Sequence, residues 1–348
     1  MVRRLLLPLL ALIFSLAACG QPASPVPTAA PAATDAPAAA PTEAPVPTDA
    51  PAPTEAPAEP TPAPTEAPGG SAVTVTDSAG REVTLEAPPE TIVSLAPSTT
   101  EIAFALGLGP QVAAVDDFSN YPAETADLPK IGSFGTVNFE QIAALEPDLV
   151  LAAGITAPEQ IQKLADLGIT VLVVGQVESS VASVYQDIEL VGRATGTADA
   201  AATLVESMQS RIIELGEAVG AAEAKPRVFW ELDATDPAKP YTVGAGSFVN
   251  ELITLAGGEN IFGTGDNPYP QVSAEQVVAG DPQVIILADA QYGVTVESVG
   301  QRPGWDVIGA VAEGKVFPID ADLVSRPGPR MAEGIEAIAK ILHPDLVK

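Results

Sequence analysis

The sequence has one cysteine, Cys19, and one histidine, His343. No disulfide can close within the chain. A Cys/His metal centre, which takes three or four converging ligands, is excluded. A Ser–His–Asp triad would have to use His343, in an ILHPD segment near the C-terminus. Positive charge is also scarce, with 16 Lys and Arg against 45 Asp and Glu and a formal net charge of −29. The stretch before Val73 holds six of the acids and also Arg3 and Arg4, so the remainder still carries about −25. So acidic a surface repels phosphate backbones and argues against nucleic acid; solubility is the plain reading of the charge. No aromatic residue occurs from Gln21 to Gly70.

Long hydrophobic runs are missing too. Leu5–Ala18, broken by Pro8 and Ser15, follows Arg3-Arg4. It falls short of the roughly 18 or more apolar residues of a spanning helix and has the charged and apolar regions of a signal peptide. It ends in Leu16-Ala17-Ala18-Cys19-Gly20, which resembles a bacterial lipobox, with Cys19 as the lipidated residue after cleavage. Several acyl chains on that residue would anchor it stably. Residues 20–72 are rich in Pro, Ala and Thr and repeat T-[DE]-A-P five times, from Thr34, Thr42, Thr48, Thr54 and Thr65. Such a segment buries no core. At about 3.1 Å per residue, 50 residues in polyproline II reach roughly 150 Å, the span of a spacer.

Beyond residue 72, one stretch occurs twice. Val137–Ala153 (VNFEQIAALEPDLVLAA) returns 135 positions later as Val272–Ala288 (VSAEQVVAGDPQVIILA). Each copy reads as a helix opened by a capping box, Asn138 or Ser273 with a Gln three residues on, then a turn with Pro147 or Pro282 and a buried strand. The pattern predicts two related lobes, 73–179 and 224–348, with a helical connector over 180–223.

In the first lobe, Val73–Leu85 reads as a hairpin, Thr91–Ala96 as a strand, and Ser98–Glu101 as a capping box opening a helix. Asp116–Pro122 and Lys130–Gly135 are polar loops carrying Phe118, Tyr121 and Phe134. In the connector, Ser180–Ala194 and Ala198–Ala222 read as helices. The second either crosses between the lobes or packs on one sheet. In the second lobe, Pro226–Leu232 is a strand with Trp230 and Glu231 near its end, Lys239–Val243 contains Tyr241, and Asn260–Pro270 is a loop with Phe262 and Tyr269. Gly304–Ala312 reads as helical, Asp320–Arg330 as a loop, and Met331–Leu342 as a final helix. Strands alternating with helices imply a mostly parallel sheet in each lobe, with ligands at the carboxyl ends of the strands. Phe134 and Tyr269 each precede a repeat copy by three residues, so they are counterparts. Rings facing a shared cleft suit a large, flat, partly apolar ligand. Glu231 with Asp233 is a possible hydrolytic carboxylate pair, and an adhesion protein on a stalk also fits the spacer.

The segments IVSLAPSTTEIAFALG, DDFSNYP, LPKIGSFGTVNFEQIAALEPDLVLA, AGGENIF and PYPQVSAEQ…DPQVIILA resemble the helical-backbone substrate-binding proteins of ATP-driven importers for cobalamin, haem and iron–siderophores. The resemblance runs from Thr91 onward and, together with the lipobox and spacer, covers nearly the whole chain. It implies two α/β lobes joined by a single long helix, a ligand cleft between them, no enzymatic activity and no cofactor. The implied partner is a membrane permease, with the chain a lipid-anchored, extracytoplasmic monomer. The nearest likeness is to cobalamin binders, whose S-[DN]-Y-P loop stands here as Ser119-Asn120-Tyr121-Pro122, its Tyr facing the corrin. Phe134 and Tyr269 fall where enteric members carry Trp, and Asp322 and Arg326 fall in the last cleft loop. With Ser98, Trp230 and Tyr241 at strand ends, these are the expected ligand contacts. The resemblance assigns one exposed Glu per lobe to permease docking, and the repeat supplies Glu140 and Glu275. A ferric siderophore or haem is the rival cargo, with Arg326 and Arg330 to meet its carboxylates.

Overall fold

The computed structural model describes residues 72–133 and 135–347. Cys19, the signal-peptide and spacer expectations, and Phe134 lie outside the described residues.

The described residues open with an antiparallel hairpin, β1 (Val73–Thr76) and β2 (Glu82–Leu85). Buried Asp77 ties it down. Its carboxylate accepts the Ala79 and Arg81 amides at 3.0 and 2.8 Å, and reaches the Val173 amide of the first sheet at 3.2 Å.

The first sheet consists of β3 (Ile92–Ser94), β4 (Val112–Val115), β5 (Leu149–Ala153) and β6 (Val171–Val174), all parallel, in the order β4-β3-β5-β6. Its helices are α1 (Pro97–Ala105), α2 (Phe139–Ala144) and α3 (Pro158–Asp166). The connector consists of α4 (Val181–Thr195) and α5 (Ala198–Gly220). The second sheet holds β7 (Arg227–Glu231), β8 (Glu259–Asn260), β9 (Val284–Leu287) and β10 (Val316–Pro318), again all parallel, in the order β10-β9-β7-β8. With it go α6 (Phe248–Leu255), α7 (Ala274–Gly280), α8 (Val296–Gly300), α9 (Gly309–Ala312), α10 (Ala321–Ser325) and α11 (Met331–Leu342).

Numbered within each lobe, both sheets run 2-1-3-4, and the repeated segment supplies the third strand of each with the helix before it. The expected two-lobed, parallel-sheet architecture is the one found. The strands divide their side chains between two kinds of core. The outer faces are separate: Val150 and Ala152 pack with Ile142 and Leu164, and the equivalent Ile285 and Leu287 pack with Val277 and Trp305. The inner faces share one core, which runs from Leu149 and Leu151 through Val184 and Ile188 of α4 to Trp230, Ile286 and Ile335.

Of the two readings of the connector, the structure has the crossing. Helix α5 starts against α4, where any Cβ on Gly192 would run into Ala201. It then pairs Arg211 with Glu336 of α11 at 2.8 Å and brings Val219 up to Gly257 in the second lobe. Its 23 residues span about 35 Å.

Three local expectations are corrected. Ser98 and Glu101 form no capping box; the N-cap is Ala96, Pro97 fills the first turn, and Glu101 turns to distant arginines. The 320–330 loop contains α10, capped by Asp320. Residues 304–312 split at Ile308 into a short 3-10 turn and α9.

Candidate functional site

Between the lobes lies a cavity of about 500 Å³, walled by the loops that leave the carboxyl ends of the strands. The first lobe contributes Pro97, Ser98 and Ile102 of α1, Phe118, the Ala153-Gly154-Ile155 turn after β5, and Gly175, Gln176, Val177 and Ser179 after β6. The second contributes Leu232 after β7, Phe248 and Val249 of α6, Tyr269, Tyr292, and Asp322, Ser325 and Arg326 from the α10 region. Glycine at 154 is required by packing, because a Cβ there would collide with the Gly175 carbonyl. The two strand ends therefore close the floor backbone against backbone.

Most of the wall is apolar, and several large side chains on it stand in the open: Tyr292 is 81% exposed, Val177 69%, and Phe118 and Ile155 51% each. Exposed apolar groups gathered around one cavity mark a binding surface rather than scattered surface residues.

The polar groups are held in place from behind. Asp187 of α4 accepts the Gly175 amide at 2.9 Å and the Ser78 hydroxyl at 3.3 Å, and burial pushes its carboxyl up to about 6. The loop at 116–121 hangs from buried Asp116, which takes the Ser119 hydroxyl in a short hydrogen bond and the Phe118 amide at 2.9 Å. Burial raises the Asp116 carboxyl above its ordinary value. Ser119 also meets the Thr100 hydroxyl at 2.8 Å, and its carbonyl accepts from Lys130 at 2.6 Å. Burial, with the Glu178 carboxylate adding to it, raises the Tyr269 phenol.

One rim of the cavity is charged. Arg326 donates to Asn120 Oδ1 at 2.8 Å, to the Phe118 carbonyl at 3.2 Å and to Glu101 at 3.2 Å, and pairs with Asp322 at 2.8 Å. Arg330 grips both oxygens of Glu101, at 2.9 and 2.7 Å, and lies 4.0 Å over the Tyr121 ring.

Of the expected contacts, Ser98, Tyr269, Asp322 and Arg326 are on the cavity wall. Three others are not. Trp230 is wholly buried in the shared core, because alternation along β7 turns it inward with Val228. Tyr241 lies in backbone bridges to Asp233 and Gln271, off the wall. Tyr121 stands outside it with one face under Arg330. Glu140 and Glu275 are each the second residue of their helices, α2 and α7, and both are exposed. Ile155, Val177, Phe248 and Tyr292 were not anticipated. A search for rings passes over aliphatic side chains, and the signal that marks Ile155 and Val177 is an apolar residue just past a buried strand. Glu231 belongs to a buried two-pronged pair with Arg302 and presents no free carboxylate for hydrolysis, and His343 is a buried partner of the Gly257 carbonyl at 3.2 Å. Among the described residues, no helix is long and apolar enough to cross a membrane.

The family model for periplasmic binding proteins matches residues 92–323. The uncharacterized ABC transporter substrate-binding lipoprotein YvrC of Bacillus subtilis is 37% identical over 79% of this chain and 87% of its own length. The vitamin B12-binding protein of Vibrio cholerae is 32% identical over 73% of this chain and 90% of its own. Among solved structures, the periplasmic heme-binding protein RhuT from Roseiflexus sp. RS-1 superposes with a TM-score of 0.67 at 26% identity, over 73% of this chain and 98% of that one. Two lobes of matching topology, a cleft at their strand ends and relatives that bind solutes agree: the chain belongs to the periplasmic binding protein family and is the substrate-binding protein of an ABC transporter.

Proposed function

We propose that the chain is a lipid-anchored extracytoplasmic receptor that captures a corrinoid and passes it to its permease. The observation that carries the reading is the cavity wall. Tyr269, Tyr292, Phe118, Ile155 and Val177 offer a broad apolar surface with few polar groups, which suits a large ring system bearing neutral amide side chains. The likeness to a vitamin B12-binding protein over most of both chains supports the same cargo.

Haem or a ferric siderophore is the second reading, favoured by the likeness to a heme-binding protein. One feature weighs against it. Arg326 and Arg330 are already neutralised by Glu101 and Asp322, so neither is left to meet a carboxylate.

In this reading residues 1–19 are the signal ending in the lipidated Cys19, 20–72 the spacer, 73–179 and 224–348 the lobes, and 180–223 the connector. Ser98, Tyr269, Tyr292, Asp322 and Arg326 contact the ligand, and Glu140 and Glu275 meet the permease. Calorimetric titration of the full chain with cobalamin, cobinamide, haemin and a ferric hydroxamate tests the cargo. One-to-one saturation by a corrinoid alone is expected. Saturation by haemin or the hydroxamate alone replaces the cargo, and no saturation by any of the four overturns the reading of the cleft.

A further inference from the structure

Glu101 and Arg330 are not on the cavity wall, yet they tie its charged rim together. Glu101 belongs to α1 of the first lobe, and its side chain is 2% exposed. Both of its cationic partners, Arg326 and Arg330, come from the second lobe. Arg330 binds it through two parallel bonds, the geometry that is strongest and most directional for a guanidinium on a carboxylate. Arg326 adds a third bond to the same carboxylate and reaches on to Asn120 and the Phe118 carbonyl. Asn120 in turn donates to Asp322 at 2.8 Å. The loop at 118–121 is thus fastened to the segment at 322–330 across the gap between the lobes.

The four charges, Glu101, Asp322, Arg326 and Arg330, sum to zero, so the fastening is complete without a ligand. The opposite rim is different. Val177, 69% exposed, stands there on the cavity wall, in the loop after β6, the edge strand farthest from β4.

We propose that Glu101 and Arg330 are positioning residues that clamp one rim of the cleft before any ligand arrives, holding Arg326, Asn120 and Asp322 in their binding geometry and leaving ligand to pass on the side of Val177. A site ordered in advance loses less freedom on binding, and changes in such a site are felt mainly in the dissociation rate. The role in binding rests on the reading of the cavity as the ligand site; the clamp itself does not.

The test separates the two. In the full chain carrying Cys19→Ser, nitroxide labels at Ala165→Cys and Ala312→Cys report the distance between α3 of one lobe and α9 of the other, without ligand. The parent is expected to give one narrow distribution, and Glu101→Gln and Arg330→Gln a broader one. Arg330→Lys keeps the charge and loses the two-pronged geometry; it is expected to fall between, and it carries the comparison if Arg330→Gln does not fold. Unchanged distributions in the variants that fold overturn the clamp. With cobalamin as probe, Arg330→Gln is expected to speed dissociation about tenfold or more, and Glu101→Gln with Arg330→Gln together no further than the larger single effect. Broadened distances with unchanged dissociation overturn the positioning role. Failure of cobalamin to bind the parent removes the cargo reading, and the distances still decide the clamp.

Discussion

Glu146 and Asp281 stand 135 positions apart and share one backbone conformation. They are the non-glycine residues of positive φ among the described residues, at 47° and 40°. Each follows the helix of its repeat copy and precedes the proline that starts the turn into the third strand. The left-handed region costs a residue with a Cβ about 1–2 kcal/mol, so retaining it twice marks a shared local design. The two side chains differ. Asp281 accepts the Gly309 amide at 2.9 Å and pairs with Arg227 at 3.5 Å, whereas Glu146 is exposed. Glu146→Gly is therefore expected to raise stability by about 0.5–1 kcal/mol after the added freedom of the unfolded chain is counted. Asp281→Gly is expected to gain nothing or to lose. Urea unfolding of the two variants beside the parent checks both signs.

Removing Arg302 leaves Glu231 charged in the interior. The pair is two-pronged, and the arginine also lies 4.5 Å over the Trp305 ring. Arg302→Met is expected to cost about 3–5 kcal/mol, the range for breaking a buried pair from one side. Adding Glu231→Gln removes the stranded charge and is expected to recover much of that loss. A recovery absent from the double variant would assign the cost to packing on Trp305 instead.

Asp289 and Asp187 make stability depend on pH in an unusual direction. Burial, and for Asp289 the nearby Glu231 carboxylate, raise both carboxyls to about 6. A pKa raised by folding means that the protonated form is the one the fold favours. The contribution of each group is complete below about pH 4 and is lost as pH rises through 6. Asp289 Oδ2 accepts the Ala234 amide at 2.9 Å, and Oδ1 is buried with no partner among the described residues. An asparagine keeps the first bond and turns an N–H₂ towards Glu231. Asp289→Asn is expected to be more stable than the parent by about 1–3 kcal/mol at pH 7.5, with the difference vanishing near pH 4. Denaturation midpoints at four or five pH values decide it; a difference that does not change with pH would mean the group does not titrate in that window.

The cleft rings differ in what their loss does. Tyr292→Ala and Tyr269→Ala remove apolar wall and are each expected to weaken corrinoid binding about tenfold, the effect of roughly 1.4 kcal/mol. Trp230→Phe acts from the core, and its expected signature is lower stability with affinity held within about twofold. Parallel titrations and melts of the three variants separate wall from core.

The repeat made the plan of the molecule legible. Cap, helix, proline and strand recur together, and two copies of one supersecondary unit imply two sheets of one topology. Helix α11, with its strongly one-sided apolar pattern, lies where its sequence placed it. The face of a strand buried on both sides is harder to read. The sequence Val228-Phe229-Trp230 is apolar throughout, so no alternation tells that Trp230 and Phe229 enter different cores. Glu101 shows the other limit. Ser98 and Glu101 have the local spacing of a capping box, but the partners that win lie 225 and 229 residues away. Two guanidinium groups outcompete a backbone amide for a buried carboxylate, and no local pattern reports them.

The docking assignment for Glu140 and Glu275 has a sharp consequence. Each sits at the second position of the repeated helix, behind a cap that fixes the first turn: Asn138 accepts the Gln141 amide at 3.0 Å, and Ser273 and Gln276 close a full capping box. A carboxylate there is exposed, aimed, and favoured by the helix dipole. The dipole alone predicts that Glu140→Lys with Glu275→Lys costs a little stability and nothing more. Docking onto permease arginines predicts that the same double variant binds ligand as tightly as the parent yet fails to support uptake in cells. Both carboxylates lie off the cavity wall, so ligand affinity serves as the internal control. Normal uptake by a correctly exported double variant would reduce the two glutamates to helix-end residues.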